Sequence, residues 1–172
     1  ENMHKEILSE NQRKLLPLLG KFSREYYLAG GTAIALHIGH RRSIDFDLFK
    51  FSSLNHKRII DKIAVLRMPY EITRRVAGQM NVTVNSVNLT FLEYPYPVTA
   101  TCKFENVFKM PELINLAAMK AYALGRRSKW KDYVDLYYIL KDFFPSEKFR
   151  EEQPKYTGSF FRETIPRPTQ LF

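Results

Sequence analysis

The sequence predicts an α+β fold in which a mixed β-sheet is flanked by helices and followed by C-terminal helices. The first observation is the order of patterns along the chain, which runs helix, strand, helix, strand, helix, a group of strands and then two helices. The second is size. A chain of 172 residues with a hydrophobic fraction of 45% suffices for one ordinary core and is short for two.

Helix and strand patterns alternate over the first half of the chain. Leucines at helical spacing begin it, and Pro17 is expected to break that segment, giving one or two helices. Thr32 is expected to cap the next helix, and Asn85 with Ser86 to form a hairpin turn. The predicted elements are a helical segment over 4–24, a strand over 26–29, a helix over 32–38, a strand over 44–49, a helix over 53–67 and strands over 70–76, 79–84 and 87–92.

Prolines mark the predicted boundaries of elements in the rest of the chain. Pro95 and Pro97 end the strand pattern, and Pro111 suits the start of a helix that ends near position 124. A basic link over 125–129 leads to a last helix over 130–144. The patterns therefore predict three parts, which are a core over 1–110, a helical part packed on it over 111–144 and an irregular tail over 145–172.

The composition is basic and typical of a globular chain. There are 27 Lys plus Arg against 18 Asp plus Glu, a formal charge of +9, which suits a polyanionic partner such as a nucleotide or RNA. No apolar run approaches the ~20 residues that a membrane-spanning helix needs, so no membrane partner is expected. A single cysteine cannot form an intrachain disulfide, and this favours a reducing, cytoplasmic setting.

Two acidic residues at a spacing of two carry the main chemical signal. In a strand over 44–49, Asp45 and Asp47 point to one face, while Ile44, Phe46 and Leu48 point into the core. Two adjacent carboxylates repel each other, and a divalent cation such as Mg²⁺ or Mn²⁺ relieves that repulsion. The alternative is an edge strand whose acidic residues only face solvent.

The glycines upstream favour the metal interpretation. Gly30 and Gly31 let the backbone approach a ligand closely, and the helix that follows offers its first-turn N–H groups to phosphate. A glycine turn that opens a helix and precedes an acidic strand places hydrogen-bond donors for phosphate close to the metal ligands.

These motifs resemble a known family. The string G-G-T, twelve residues, then D-x-D is similar to the first motif of the polymerase β-type nucleotidyltransferase superfamily. The longer string G-H-R-x-S-x-D-F-D-L-F resembles the AbiEii/AbiGii toxin family, which is linked to abortive infection and toxin–antitoxin pairs. The resemblance covers roughly residues 3–144, with dense blocks over 28–49 and 111–140.

The resemblance implies a nucleotidyltransferase fold and assigns roles to individual residues. Asp45 and Asp47 would bind Mg²⁺ or Mn²⁺ and act in catalysis, with an NTP as substrate. The residues implied in nucleotide binding are Gly30, Gly31, Thr32, Arg41, Ser43, Lys120 and Arg126.

The second dense block holds a lysine on an apolar helix stripe. Lys120 there must extend its ammonium to water or meet an anion, and phosphate is one such anion. On the next helix Asp132 falls on the apolar side and Asp135 on the polar side, although acidic residues near a helix start need only the helix dipole to explain them. The pattern K-x-x-A, a basic link and D-x-x-D-L-Y resembles the same family, which implies catalytic roles for Lys120 and Asp132, with Asp135 as a further candidate and Arg126 between them.

The chain departs from the superfamily at one position. Polymerase β-type enzymes usually take a third carboxylate from a later strand, and the matching position in 87–97 is Thr90. Either Glu93 substitutes for that carboxylate, or the site works without it, or activity is reduced or absent.

The expected function is transfer of an NMP from an NTP to an acceptor, either RNA such as tRNA or a protein. By resemblance the chain is the toxin of a toxin–antitoxin or abortive-infection system, with a cognate antitoxin as partner. The alternative is a catalytically weak or inactive protein of the same fold that binds nucleotide, RNA or a partner protein. A weaker third hypothesis is a small-molecule nucleotidyltransferase of the antibiotic-modifying kind.

Overall fold

The computed structural model describes residues 3–126 and 129–142. They belong to two compact units that divide between Glu112 and Leu113. The irregular tail expected over 145–172 lies outside the described residues. No helix in the described part of the chain is long and apolar enough to cross a membrane.

The described elements follow the predicted order closely. They are a short 3-10 helix (Lys5–Ile7), helices α1 (Glu10–Gly20), α2 (Gly30–Ile38), α3 (His56–Ala64), α4 (Leu113–Leu124) and α5 (Trp130–Asp142), and strands β1 (Tyr27–Ala29), β2 (Phe46–Lys50), β3 (Tyr70–Val76), β4 (Gln79–Val84), β5 (Val87–Glu93), β6 (Cys102–Phe104) and β7 (Phe108–Met110).

The N-terminal unit is built on a five-stranded mixed sheet with the order β1-β2-β5-β4-β3. Strands β2 and β5 run parallel, and the other neighbouring pairs run antiparallel. Asn85 and Ser86 both adopt positive φ, at 49° and 61°, in the tight turn between β4 and β5, as the sequence predicts. The mixed sheet with its flanking helices confirms the predicted α+β class.

One face of this sheet forms the core. Phe46 and Leu48 on β2 and Leu89 and Phe91 on β5 are buried, and the ring of Phe22, just after α1, lies 4.9 Å from that of Phe91. Each such side chain contributes about 1.5–3 kcal/mol through burial. The register of β2 is therefore strongly fixed, because a slip by one residue would turn these side chains to the opposite face.

The opposite face of the sheet is polar and carries the acidic residues. Asp47 lies half-buried on β2 between Ala29 on β1 and Thr90 on β5, its two neighbours in the ladder. Asn81 on β4 continues the same row beyond Thr90, and Arg74 on the edge strand β3 ends it. A row of polar groups therefore crosses the sheet from Asp47 to its edge.

Several expected element boundaries are wrong for identifiable reasons. Pro17 does not break α1, and it lies on the exposed side of that helix. Strand β2 begins at Phe46, so Asp45 precedes the ladder and Ile44, expected in the core, is 61% exposed. The α3 helix is shorter than predicted and is capped by Asn55, whose side chain accepts from the N–H of Arg58.

A two-stranded sheet was missed by sequence reasoning. Strands β6 and β7 pair antiparallel, and the rings of Phe104 and Phe108 stack 5.1 Å apart across their turn. Each strand has only three residues, which is too short for the period-two pattern that identifies strands in a sequence.

The C-terminal unit contains α4 and α5. Both helices were predicted, although α4 begins at Leu113 rather than Pro111. Lys120 of α4 makes ion pairs with Asp132 and Asp135 of α5, and all three side chains are buried.

Candidate nucleotide- and metal-binding site

The start of α2 lies directly against an acidic side chain. Gly30, the first residue of the helix, has φ of 68°, a conformation that L side chains rarely adopt. A Cβ atom at Gly30 would collide with the Asp47 carboxylate. Glycine is therefore required at this position for two reasons, which are the positive φ of the backbone and the close approach of Asp47.

The second glycine makes room for two other predicted residues. A Cβ atom at Gly31 would collide with the guanidinium of Arg41 and lie 3.2 Å from Oγ of Ser43. The loop after α2 thus returns over the start of its own helix. We call the cluster of Gly30, Gly31, Arg41, Ser43 and Asp47 the glycine corner.

Thr32 has a different position from the one expected. The helix cap is Ala29, which has no side-chain acceptor, so Thr32 does not cap α2. Its side chain is 1% exposed, and its hydroxyl lies 2.9 Å from Oγ of Ser43 and hydrogen-bonds the main-chain carbonyl of Asp45. Because a carbonyl only accepts, Thr32 donates to Asp45 and accepts from Ser43. The side chain of Thr32 is thus engaged by the loop before β2, and a phosphate contact at this residue would use its first-turn N–H.

Gln12 supports the same loop and was missed by sequence reasoning. It is fully buried, and its Nε2 donates to the carbonyl of Ser43 at 2.9 Å. Its Oε1 accepts from the N–H of Ser9, which completes the capping box of α1. The sequence signal S-x-x-Q identifies the helix start, but nothing in it reveals the contact with a loop 31 residues away.

The two acidic residues are half-buried and lie on the polar face of the N-terminal unit. Asp45 Oδ1 accepts from Nδ2 of Asn88 at 3.1 Å, and Asn88 Oδ1 in turn accepts from Oγ1 of Thr83 at 2.7 Å. The oxygen-only donor set of Asp45 and Asp47 fits a hard divalent cation such as Mg²⁺ or Mn²⁺. Within residues 3–126 and 129–142 no three His, Cys, Asp or Glu side chains form a metal-binding group.

The position of the missing third carboxylate is defined by the strand register. Thr90 pairs with Asp47 across the parallel β2–β5 ladder and shares its face. Glu93 pairs with Lys50 instead and lies three positions after Thr90, so it projects from the opposite face. The register therefore does not support Glu93 as a substitute for the carboxylate.

The predicted residues of the C-terminal unit form a buried ionic cluster. Nζ of Lys120 lies 2.5 Å from Oδ1 of Asp132 and 3.0 Å from Oδ2 of Asp135. Lys120 is 7% exposed, so its ammonium does not extend to water, and the anions that it meets belong to α5. Asp135 was placed on the polar side of its helix, and this was wrong, since its side chain is fully buried. The guanidinium of Arg126 lies over the ring of Tyr122, 4.4 Å from its centroid.

Comparison with solved structures identifies the fold. JHP933 from Helicobacter pylori matches with a TM-score of 0.61 at 19% identity, over 79% of this chain and 68% of that chain. The antibiotic-resistance factor ANT(2'')-Ia matches with a TM-score of 0.56 at 13% identity, over 88% and 94%. The Megavirus polyadenylate synthase matches with a TM-score of 0.57 at 13% identity, over 77% and 31%. The protein has the nucleotidyltransferase fold.

A sequence relative identifies the family. The uncharacterized protein aq_aa25 of Aquifex aeolicus (strain VF5) is 31% identical over 144 residues, which cover 78% of this chain and 68% of that protein. The chain belongs to the family of this Aquifex protein. No protein-family model matches the sequence.

Proposed function

We propose that the protein transfers a nucleoside monophosphate from an NTP to an acceptor hydroxyl with the help of Mg²⁺ or Mn²⁺. The observation that carries the proposal is the contact between Asp47 and Gly30, which brings a metal-binding carboxylate to the start of a helix that can hold phosphate. Asp45 and Asp47 would hold the cation. When bound, such a cation neutralises charge on the phosphates and aligns them.

The protein's own groups would orient the triphosphate. The first-turn N–H groups of α2, including those of Gly31 and Thr32, belong to the positive end of a helix dipole. The guanidinium of Arg41 lies beside Gly31 and adds a full positive charge at the same corner. These groups suit the β- and γ-phosphates, which leave together as pyrophosphate.

The topology then favours one direction for the acceptor. In-line transfer requires the attacking and leaving oxygens to lie on opposite sides of the phosphorus. The glycine corner follows β1, on one side of Asp47, so the acceptor would approach over β5 and β4 on the other side. The groups on that side are Thr90, Asn88 and Asn81, which are polar and neutral.

The acceptor and biological role form the finer part of the proposal. The string at 39–49 resembles the AbiEii/AbiGii family, and this supports a toxin of a toxin–antitoxin or abortive-infection system with a cognate antitoxin. The formal charge of +9 supports RNA such as tRNA as the acceptor over a protein.

Lys120 and Asp132 have two candidate roles. The family resemblance assigns them to nucleotide binding and catalysis, with Arg126 and Asp135 as accessory residues. Their buried ion pairs favour a role in fastening α4 to α5. Loss of stability in Lys120→Met without loss of NTP affinity would support the fastening role.

A second candidate function is binding without catalysis. Thr90 supports it, because a hydroxyl beside Asp47 can neither accept a proton as a carboxylate does nor bind Mg²⁺ strongly. Such a protein would hold nucleotide, RNA or a partner protein at the same face.

The decisive experiment offers each α-labelled NTP with Mg²⁺ to the purified protein together with total cellular RNA and protein. We expect label in RNA, and no label with Asp45→Asn or Asp47→Asn. The matched control is Asp61→Asn, which removes an exposed carboxylate from α3 and should leave transfer unchanged. Nucleotide binding without transfer would support the second function, and transfer that survives both active-site variants would refute the metal site.

A further inference from the structure

A hydrogen-bonded chain leads across the polar face of the sheet to Asp45. Thr83 on β4 and Asn88 on β5 are register partners, and Oγ1 of Thr83 donates to Oδ1 of Asn88 at 2.7 Å. Nδ2 of Asn88 then donates to Oδ1 of Asp45 at 3.1 Å. The three residues come from different strand regions, so this series of hydrogen bonds exists only in the folded sheet.

The direction of this chain is determined by its chemistry. An amide carries an acceptor oxygen and a donor nitrogen at opposite ends. Because an ionised carboxylate only accepts, the nitrogen end of Asn88 faces Asp45, and the oxygen end accepts from the Thr83 hydroxyl. Thr83 thereby holds the amide in the orientation in which it presents a donor to Asp45 without adding charge beside it.

Asp45 needs such support because the strand does not supply it. The ladder of β2 starts one residue later, at Phe46. The main-chain carbonyl of Asp45 is held by the buried hydroxyl of Thr32, and its carboxylate is held by Asn88. The bond engages Oδ1 alone and leaves Oδ2 to a cation.

We propose that Asn88, oriented by Thr83, is a positioning residue that holds the Asp45 carboxylate ready for a divalent cation, an inference that rests on the proposed metal site. With Thr90 in place of a third carboxylate, the site has two anionic ligands, and fixing one of them in advance lowers the cost of binding the cation. Hydrogen bonds of this kind behind metal ligands typically contribute about 10–100-fold in metal affinity.

The test measures Mn²⁺ binding without nucleotide, by the electron paramagnetic resonance signal of the free ion. We expect Asn88→Ala to weaken binding about tenfold, and Thr83→Val to weaken it in the same direction. Thr83→Ser keeps the hydroxyl and should bind Mn²⁺ like the unchanged protein. Asn81→Ala is the matched control, since Asn81 lies on the same face but hydrogen-bonds Gln79.

Two further variants separate this inference from the proposed function. If Asp45→Ala and Asp47→Ala leave Mn²⁺ binding unchanged, the metal site itself is wrong. If they abolish binding while Asn88→Ala and Thr83→Val retain the affinity of the unchanged protein, only the role of Asn88 is overturned. Thermal unfolding of each variant checks the fold, which should survive because Asn88 is exposed.

Discussion

Replacing Thr32 by valine separates two explanations of the G-G-T motif. Valine has nearly the shape of threonine but no hydroxyl, so the change removes one hydrogen-bond donor and little volume. If the side chain bound phosphate, the variant would lose NTP affinity and keep its stability. The structure predicts the opposite result, a loss of stability without a direct loss of phosphate binding. Thr32 is 1% exposed, and its hydroxyl is hydrogen-bonded to the loop before β2.

The expected loss of stability follows from the carbonyl that Thr32→Val leaves without a donor. Without Thr32 as donor, the main-chain carbonyl of Asp45 loses its partner, and an unsatisfied group of this kind costs about 1–3 kcal/mol. For a domain of this size that corresponds to a fall in melting temperature of about 2–4 °C per kcal/mol. We expect the Asp45 carboxylate to move with its backbone, and displacements near 1 Å can reduce turnover by about a hundredfold.

Urea unfolding and label transfer measure the two effects in the same preparations. Thr32→Ser is the matched control, because it keeps the hydroxyl and should retain most of the stability and the transfer rate. A Thr32→Val protein with unchanged stability and a raised KM for NTP would refute the structural role and restore the phosphate contact.

Three other substitutions test separate parts of the molecule. Gly30→Ala should lower the free energy of unfolding by about 1–2 kcal/mol for the positive φ alone. It should also displace the Asp47 carboxylate, so the transfer rate should fall much more than the stability does. A variant with full transfer activity would contradict the close approach of Asp47 to Gly30. Lys120→Met should destabilise the protein by about 3–5 kcal/mol in urea unfolding, because it leaves buried carboxylates such as Asp135 unpaired, whereas a loss below 1 kcal/mol would count against the buried cluster. Thr90→Asp adds a carboxylate beside Asp47, so Mn²⁺ should raise the melting temperature of this variant more than that of the unchanged protein; equal shifts would show that a carboxylate at position 90 does not bind the metal.

The parts of the fold that the sequence predicts correctly depend on local chemistry. A period of two puts Asp47 on the face opposite Phe46 and Leu48 whatever the rest of the chain does. Asn85 and Ser86 form the hairpin turn because a two-residue turn requires positive φ, which asparagine tolerates. The same period puts Thr90 on one face with Asn88, and the β2–β5 register pairs Thr90 with Asp47.

The parts that were missed depend on contacts between distant segments. Thr32 and Gln12 look like ordinary residues near helix starts, and only the return of the loop at 43–45 gives their polar groups partners. Asp135 falls on the polar side of a helical wheel, yet Lys120 from the neighbouring helix compensates its charge and allows full burial. Helical periodicity describes one helix at a time and contains no information on such a partner.

The spacing of the G-G-T and D-x-D motifs also has a physical explanation in this fold. Helix α2 has nine residues and carries the chain about 13 Å away from the glycine corner. The seven residues between Ile38 and Phe46 must return the same distance, and at about 3.3 Å per extended residue they reach about 23 Å. The loop is therefore longer than the distance it must span, and its length alone does not determine where Asp45 lies.

The hydrogen bonds of the returning loop determine that position. The carbonyl of Ser43 is fixed by Gln12, its hydroxyl by Thr32, and the carbonyl of Asp45 by Thr32 as well. A one-residue deletion between Gly39 and Arg42 would still let the chain span the distance, but the loop could not reach both partners in register. The spacing is thus set by the buried polar groups that receive the loop, so variants of these groups should impair metal binding even where both aspartates are intact.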